Sequence, residues 1–574
     1  MEDGKVMKVL IIGGVAGGAT AAARLRRLDE SAEIVILERS GYVSYANCGL
    51  PYYIGGVIEK KQALTLQTKE SFWNRFHIDV RLKNEALSID REKKTVRVKR
   101  LSDGSEYDEP YDKLILSPGA KALRPSLPGI DNRRIFTLRT VEDTFAIREQ
   151  IEQAKPENAV VIGGGFIGLE MAENLVHAGV KTTLLQRGDQ VMAPLDYDMA
   201  CQLHSYLRGR GVDLRLNQTV TGFYEEDGRL WTQLEGRKPV AADLVILAIG
   251  VAPETHLAEE AGLELGMRRS ILVNERMETS DSDIYAVGDA VQVRHFVSGA
   301  DALIALAGPA NKQGRIAADN ICGRHSRFDG SQGSSIIRLF DMTAASTGLN
   351  EKAAQAAGIP CEAVVTCPAS HATYYPGARD MTVKTLFNPE NGRILGAQIV
   401  GFEGVDKRID VLATAIRAGM TAADLEELDL AYAPPYSSAK DPVNMAGFVI
   451  GNIRSGLVKQ FNWKQLEDVQ RRNEAGQVTL LDTRTEREYA QGHFRGSVNI
   501  PLDELRDRLS ELDPAKPVYV NCHSGLRSYL ACRILTGNGY DCYNFSGGYR
   551  FYEYIAGDRD YDETPRHACG VEIG

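Results

Sequence analysis

Cys48, in SYANCGLPYYIGG, and Cys522, in NCHSGLRS, are the residues of this chain best suited to do chemistry. The thiolate, not the thiol, attacks sulfur, so Cys48 is expected to have a depressed pKa, supplied by the N-terminus of an adjacent helix. It stands alone in its segment, and a lone thiolate cannot close an internal disulfide. Cys522 opens the loop Cys522-His523-Ser524-Gly525-Leu526-Arg527, a C-x-x-G-x-R pattern between a strand and a helix. A ring of backbone amides, with the Arg527 guanidinium pointed at sulfur, would stabilise a thiolate or a persulfide there. Cys201, Cys322, Cys361, Cys367, Cys532, Cys542 and Cys569 lack motif context and read as packing or surface residues, as do His77 and His371.

Two glycine-rich turns precede chemistry of another kind. VLIIGGVAGG, Val9 to Gly18, reads as a buried parallel strand, a tight turn and the start of a helix that continues through ATAAARLRRL. The next strand, EIVILE, ends at Glu38 with Arg39 behind it. NAVVIGGGFIGLEMAENLVHAG and KTTLLQR repeat the design, with Gly163, Gly165 and Gly168 fitting G-x-G-x-x-G. In such a turn the first glycine allows the bend and the second admits a pyrophosphate. The third lets helix and strand touch, while helix amides hold the phosphates. The first turn departs from the pattern, since Val15 takes the middle glycine's place between Gly13 and Gly18, with Ala16 and Gly17 completing it. Glu38 is placed to accept bonds from ribose hydroxyls. At the second turn an acid would favour NADH and an arginine a 2′-phosphate. Gln186 followed by Arg187 leaves the two open. Glu170, just past the glycines, suits either a nicotinamide-side role or simple complementarity to the helix dipole.

The elements that must position these residues form several domains. A chain of 574 residues exceeds what one core supports. Lys and Arg number 67 against 77 Asp and Glu, a formal charge of −10, which argues against nucleic acid as a partner. No window approaches the roughly 18–20 apolar residues of a membrane span. The strand that begins within a few residues of Met1 leaves no room for a signal peptide, so a cytoplasmic setting is expected. Nine scattered cysteines, without paired metal-ligand spacing, point to thiols and to no metal site.

TSDSDIYAVGDA, Thr279 to Ala290, resembles the second FAD fingerprint of the two-dinucleotide-binding flavoproteins, which implies that Asp289 meets the ribityl chain. LILSPGA and LAIGVAP resemble that superfamily's connecting strands. With SYANCGLPYYIGG added, the chain from Met7 to about Gly447 resembles the coenzyme A-disulfide reductases. The resemblance implies FAD at Gly13, Val15, Ala16, Gly17, Gly18, Glu38, Arg39, Asn47 and Asp289. It implies NAD(P)H at Gly163, Gly165, Gly168, Glu170, Gln186 and Arg187, and coenzyme A at Ser44, Asn47 and Cys48, with Arg24 a further phosphate contact or a solvated helix residue. HATYYPG, FEGVDKRID and AYAPPYSSAKDPVN resemble the family's dimerisation domain, implying a homodimer in which Tyr374 and Tyr432 reach the partner's active site. LLDTRTEREYAQGHFRGSVNIP through VNCHSGLRS resembles a rhodanese domain. There Asp482, Arg484, Glu488 and His493 are scaffold, and related phosphatases use a loop one residue longer.

The expected fold class is α/β. A FAD domain is expected at 1–120 and 253–330, an NAD(P)H domain at 121–252 and an α+β dimerisation domain at 331–447. A linker at 448–460, a rhodanese domain at 461–557 and a tail at 558–574 complete the chain. The implied activity is NAD(P)H-driven reduction of CoA persulfide, CoA disulfide or polysulfide at Cys48, with Cys522 carrying sulfane sulfur. The rivals are an NADH oxidase or peroxidase working through a cysteine sulfenic acid, and a flavin redox-sensing binding protein.

Overall fold

A computed structural model describes residues 6–561. It divides into two compact units, Met1–Val191 with Gly211–Gly333, and Met192–Arg210 with Ser334–Gly574. Among the described residues no helix is long and apolar enough to cross a membrane.

The first unit is one design used twice. Its first sheet is parallel throughout, in the order Ile284–Ala286, Lys113–Leu116, Lys8–Ile12, Glu33–Glu38, Asp79–Leu82. The second runs Asp213–Arg215, Lys181–Leu185, Asn158–Ile162, Leu244–Leu247, Ile135–Thr137, also parallel. Each carries a three-stranded antiparallel sheet just ahead of a later strand, Asn84–Pro110 in one and Val220–Ala242 in the other. Val9, Leu10, Ile11, Val160 and Val161 are fully buried, as the continuous apolar runs require of strands covered on both faces.

The second unit joins two sheets. One is antiparallel, in the order Ser335–Leu339, Met342–Gly348, Ile394–Gly401, Met381–Phe387, Glu362–Thr366, and its central hairpin turns through the Asn-Pro-Glu-Asn-Gly of residues 388–392. The other is parallel, Lys459–Phe461, Cys542–Phe545, Val518–Asn521, Thr479–Asp482, Val498–Asn499. This is the expected α/β class, with an α+β domain and a small α/β domain following two nucleotide-binding folds.

Three boundaries differ from the sequence reading. The helix Tyr197–Gly209, assigned to the NAD(P)H domain, belongs to the second unit. The reason lies in charge: Lys384, only 1% exposed, is neutralised by Asp196 and Asp198 at the head of that helix, at 2.9 and 2.8 Å. The expected linker at 448–460 is mostly regular structure, because the helix Pro442–Arg454 continues through Gly447 and the strand Lys459–Phe461 follows. The final helix runs Gly548–Arg559, so Asp558 is part of the domain rather than of a tail. DETPRHACGVEIG, with Cys569, lies outside the described residues.

Candidate active site

The two glycine turns are superimposable in their logic. Gly13 and Gly163 have φ of +94° and +110°, and a Cβ at either would fall 2.1 or 2.3 Å from the carbonyl oxygen of Ser117 or Ala248. A Cβ at Gly18 or Gly168 would strike the carbonyl of Gly13 or Gly163 at 1.9 and 1.8 Å, so helix and strand touch through bare backbone. The amide of Gly14 donates to Glu38 Oε2 at 2.9 Å, and that of Gly164 to Gln186 Oε1 at the same distance. Neither N-cap residue, Val15 or Gly165, caps its helix with a side chain, and beyond the Gly18 amide, which donates to Ser117 Oγ at 3.1 Å, first-turn amides are left to a diphosphate. Both cradles therefore fit a dinucleotide. Arg187 is exposed, Arg39 reaches Glu254 at 3.1 Å, and Asp289 is held by Arg139 at 2.6 Å. Arg24 donates to Asp319 at 2.7 Å, an occupied position on its helix.

Cys48 is fastened beside the first cradle. The Ser44 amide donates to the Gly14 carbonyl at 2.8 Å, and Ser44 itself adopts φ of +47°, so the cysteine segment turns sharply off the phosphate loop. Cys48 then sits in the short turn Asn47–Gly49 that leads into the helix Leu50–Ile54, and it is exposed. The expectation of a depressed thiol is overturned. Crowding by surrounding protein pushes the Cys48 thiol up, the Glu170 and Asp289 carboxylates add to this, and only Arg139 opposes them. A short helix start does not outweigh that crowding plus two acids. Glu170 is itself raised to about 7, first by burial and then by Glu173, against a hydrogen bond from the Tyr52 hydroxyl at 3.3 Å. Tyr52 and Arg139 escaped the sequence reading. Tyr52 carried one signal, its place one helical turn beyond Cys48, and Arg139 carried none.

In the second unit, the Tyr374 and Tyr432 hydroxyls lie 2.8 Å apart, with the residues 75% and 47% exposed. The Tyr432 hydroxyl holds the Tyr374 phenol above its ordinary value.

Cys522 follows the strand Val518–Asn521 and precedes the helix Leu526–Gly537. Its sulfur accepts from the Gly525 amide at 3.1 Å and from the Ser528 hydroxyl at 3.3 Å. Gly525, at φ of +97°, makes the loop close. Arg527 does not point at the sulfur. Both its terminal nitrogens go to Glu488, at 2.8 and 2.6 Å, and this pairing lowers Glu488 to about 2. Glu488 therefore ties the loop down, and Ser528, one residue past the motif, is the side-chain donor the motif did not announce. Arg484 grips buried Asp482 at 2.8 Å and the Gly492 carbonyl at 2.6 Å, the expected scaffold, while His493 Nδ1 contacts the Tyr489 carbonyl at 3.0 Å.

Comparison with known proteins bears on this geometry. Residues 7–314 match the pyridine nucleotide-disulphide oxidoreductase family, residues 335–442 its dimerisation domain, and residues 465–553 the rhodanese-like domain. The chain belongs to the pyridine nucleotide-disulphide oxidoreductases. It is an oxidoreductase of this family that carries a rhodanese-like domain. It is 36% identical over 442 residues to a coenzyme A disulfide reductase of Staphylococcus aureus, spanning 77% of this chain and 99% of that one. Among solved structures, reduced CoADR-RHD of Bacillus anthracis is 48% identical with a TM-score of 0.94, covering 97% of this chain and 99% of that one. A NAD-dependent persulfide reductase from A. fulgidus is 39% identical with a TM-score of 0.89, covering 95% and 100%. Membership of this oxidoreductase family implies FAD and NAD(P)H, which agrees with the two cradles already described.

Proposed function

We propose that this oxidoreductase uses NAD(P)H to reduce the sulfur–sulfur bonds of coenzyme A persulfide, coenzyme A disulfide and polysulfide at Cys48, with Cys522 carrying sulfane sulfur. The observation that carries the reading is the single exposed Cys48, stapled through Ser44 to the first dinucleotide cradle. The named relatives support it, being a coenzyme A disulfide reductase and a persulfide reductase.

When bound, FAD and the nicotinamide supply a hydride and, from it, two electrons for sulfur. The residues of the chain do the rest. The Cys48 thiolate attacks the sulfur of the incoming R–S–SH that bears R, so a Cys48–S–S–R bond forms and HS⁻ leaves. Two electrons and a proton then restore the Cys48 thiolate and release RSH. Tyr52 and Glu170, joined at 3.3 Å, are the acid pair on the Cys48 side, and Glu170 at about 7 exchanges its proton near neutrality. Tyr374 and Tyr432, contributed across a homodimer, are the donors to the departing thiolate. Coenzyme A is held by the segment Ser44 to Cys48. At Cys522, the Gly525 amide and Ser528 hydroxyl stabilise sulfur as anion or persulfide.

Steady-state turnover tests this directly. The expected order places coenzyme A persulfide and disulfide far above hydrogen peroxide or oxygen in kcat/KM. A preference for peroxide by orders of magnitude would establish the sulfenic acid chemistry instead.

A further inference from the structure

The second nucleotide cradle differs from the first by one charge. In the first, the Gly14 amide donates to Glu38 Oε2 and the Ser40 amide to Glu38 Oε1, each at 2.9 Å, so a carboxylate closes the end of the strand Glu33–Glu38. In the second, the Gly164 amide makes the matching bond to Gln186 Oε1 at 2.9 Å, and Gln186 Nε2 donates to the Gln190 carbonyl at 3.0 Å. The bond to the glycine turn is kept and the negative charge is gone.

The turn that follows is held by its backbone. The Gln186 amide donates to the Arg215 carbonyl at 2.9 Å, the Gln218 amide to the Gln186 carbonyl at 3.0 Å, and the Asn217 amide to the Gly188 carbonyl at 3.0 Å. Arg187 lies between these anchors with its side chain exposed. Among the described residues no hydrogen bond or ion pair engages that guanidinium. Arg215, by contrast, is taken up by Asp213 at 2.8 Å. Arg187 directly follows Gln186, whereas Asp189, the acid of the turn, stands beyond Gly188, so the charge presented at the strand end is positive. A Cβ at Gly165 would meet nothing within 4 Å, and the approach to the helix amides is open.

We propose that the second cradle selects NADPH over NADH, with Arg187 as the residue that grips the 2′-phosphate. The proposal rests on the reading of that cradle as the NAD(P)H site. A carboxylate at the strand end accepts from a ribose 2′-hydroxyl and repels a phosphate in its place. Gln186 holds the glycine turn as Glu38 does, without that repulsion. A phosphomonoester carries a charge of about −1.5 to −2 at neutral pH, and a guanidinium meets it with paired N–H donors.

The test titrates the full-length flavoprotein, with FAD bound and oxidised, with 2′-phospho-ADP-ribose and with ADP-ribose, read by calorimetry. Neither nucleotide carries a nicotinamide, so no electrons move and binding alone is measured. The expected result is binding of the 2′-phosphorylated nucleotide about tenfold tighter or more, the worth of a charge-assisted pair. That advantage should grow as pH rises through about 6, where the phosphate takes its second charge, and shrink with added salt. Arg187→Ala should bring the ratio of the two dissociation constants toward one. Gln186→Glu, which keeps an acceptor for the Gly164 amide, should lower the ratio as well. The proposal is overturned if the wild-type protein binds the two nucleotides alike, or if Arg187→Ala leaves their ratio unchanged. Binding of neither would remove the reading of the second cradle itself, and this proposal with it.

Discussion

The Glu170 carboxylate helps hold the Cys48 thiol up. With Glu170 raised to about 7, lowering the pH through neutrality discharges an acid that otherwise holds the Cys48 thiol up. Glu170→Gln should therefore move the Cys48 titration down and speed its alkylation at pH 7. Alkylation rate against pH checks this, and an unshifted profile would detach Glu170 from the thiol. Because its folded value exceeds the ordinary 4.5, the stabilisation that goes with protonated Glu170 is full below about pH 4.5 and is lost as pH rises through about 7. At this scale the sequence was informative about identity and uninformative about environment. Cys48, Cys522 and the glycines were legible because turn geometry and motif spacing are local. The raised Cys48 thiol and the Arg527–Glu488 pair were not, since both depend on residues from distant segments. Among the described residues, Glu170 lies far along the chain from Cys48, and Glu488 precedes Arg527 by 39 positions.

Single charged residues also decide how elements join. Asp558, on the final helix, receives the Tyr197 hydroxyl at 2.9 Å and Arg208 at 2.6 Å, and it lies 3.0 Å from His204 Nδ1, all from the helix Tyr197–Gly209. Its side chain is 2% exposed. Removing the charge would leave the Arg208 cation buried without its partner, so Asp558→Asn should cost about 3 kcal/mol of stability, read from denaturant unfolding. The pH dependence has a definite sign. The folded value, about 2, lies below the ordinary 3.8, so the contribution is full above about pH 4 and drains as pH falls toward about 2. Its size is about 2 kcal/mol. The destination of the helix Tyr197–Gly209 was not legible in the sequence, because its partners, among them buried Lys384, Asp558, Thr382 and Trp463, lie far away in the chain.

At the scale of the whole molecule, the architecture was legible nearly throughout, since strand, turn and helix signals repeat in order along the chain. Assembly is the level that a single chain leaves to experiment. Tyr374 and Tyr436 are 75% and 72% exposed, beside Tyr375 and Tyr432, a concentration of aromatic surface suited to an interface. Sedimentation should give twice the mass of one chain. Tyr374→Phe with Tyr432→Phe should preserve that mass while lowering kcat by about 10²-fold, the usual worth of a positioned proton donor. A lost dimer with unchanged turnover per chain would refute the role of these hydroxyls. The central claim is met most directly by following the two half-reactions of Cys48→Ser by stopped flow. The account predicts flavin reduction by NAD(P)H at close to the wild-type rate, with no reoxidation by coenzyme A persulfide or disulfide. Reoxidation at the wild-type rate would contradict it.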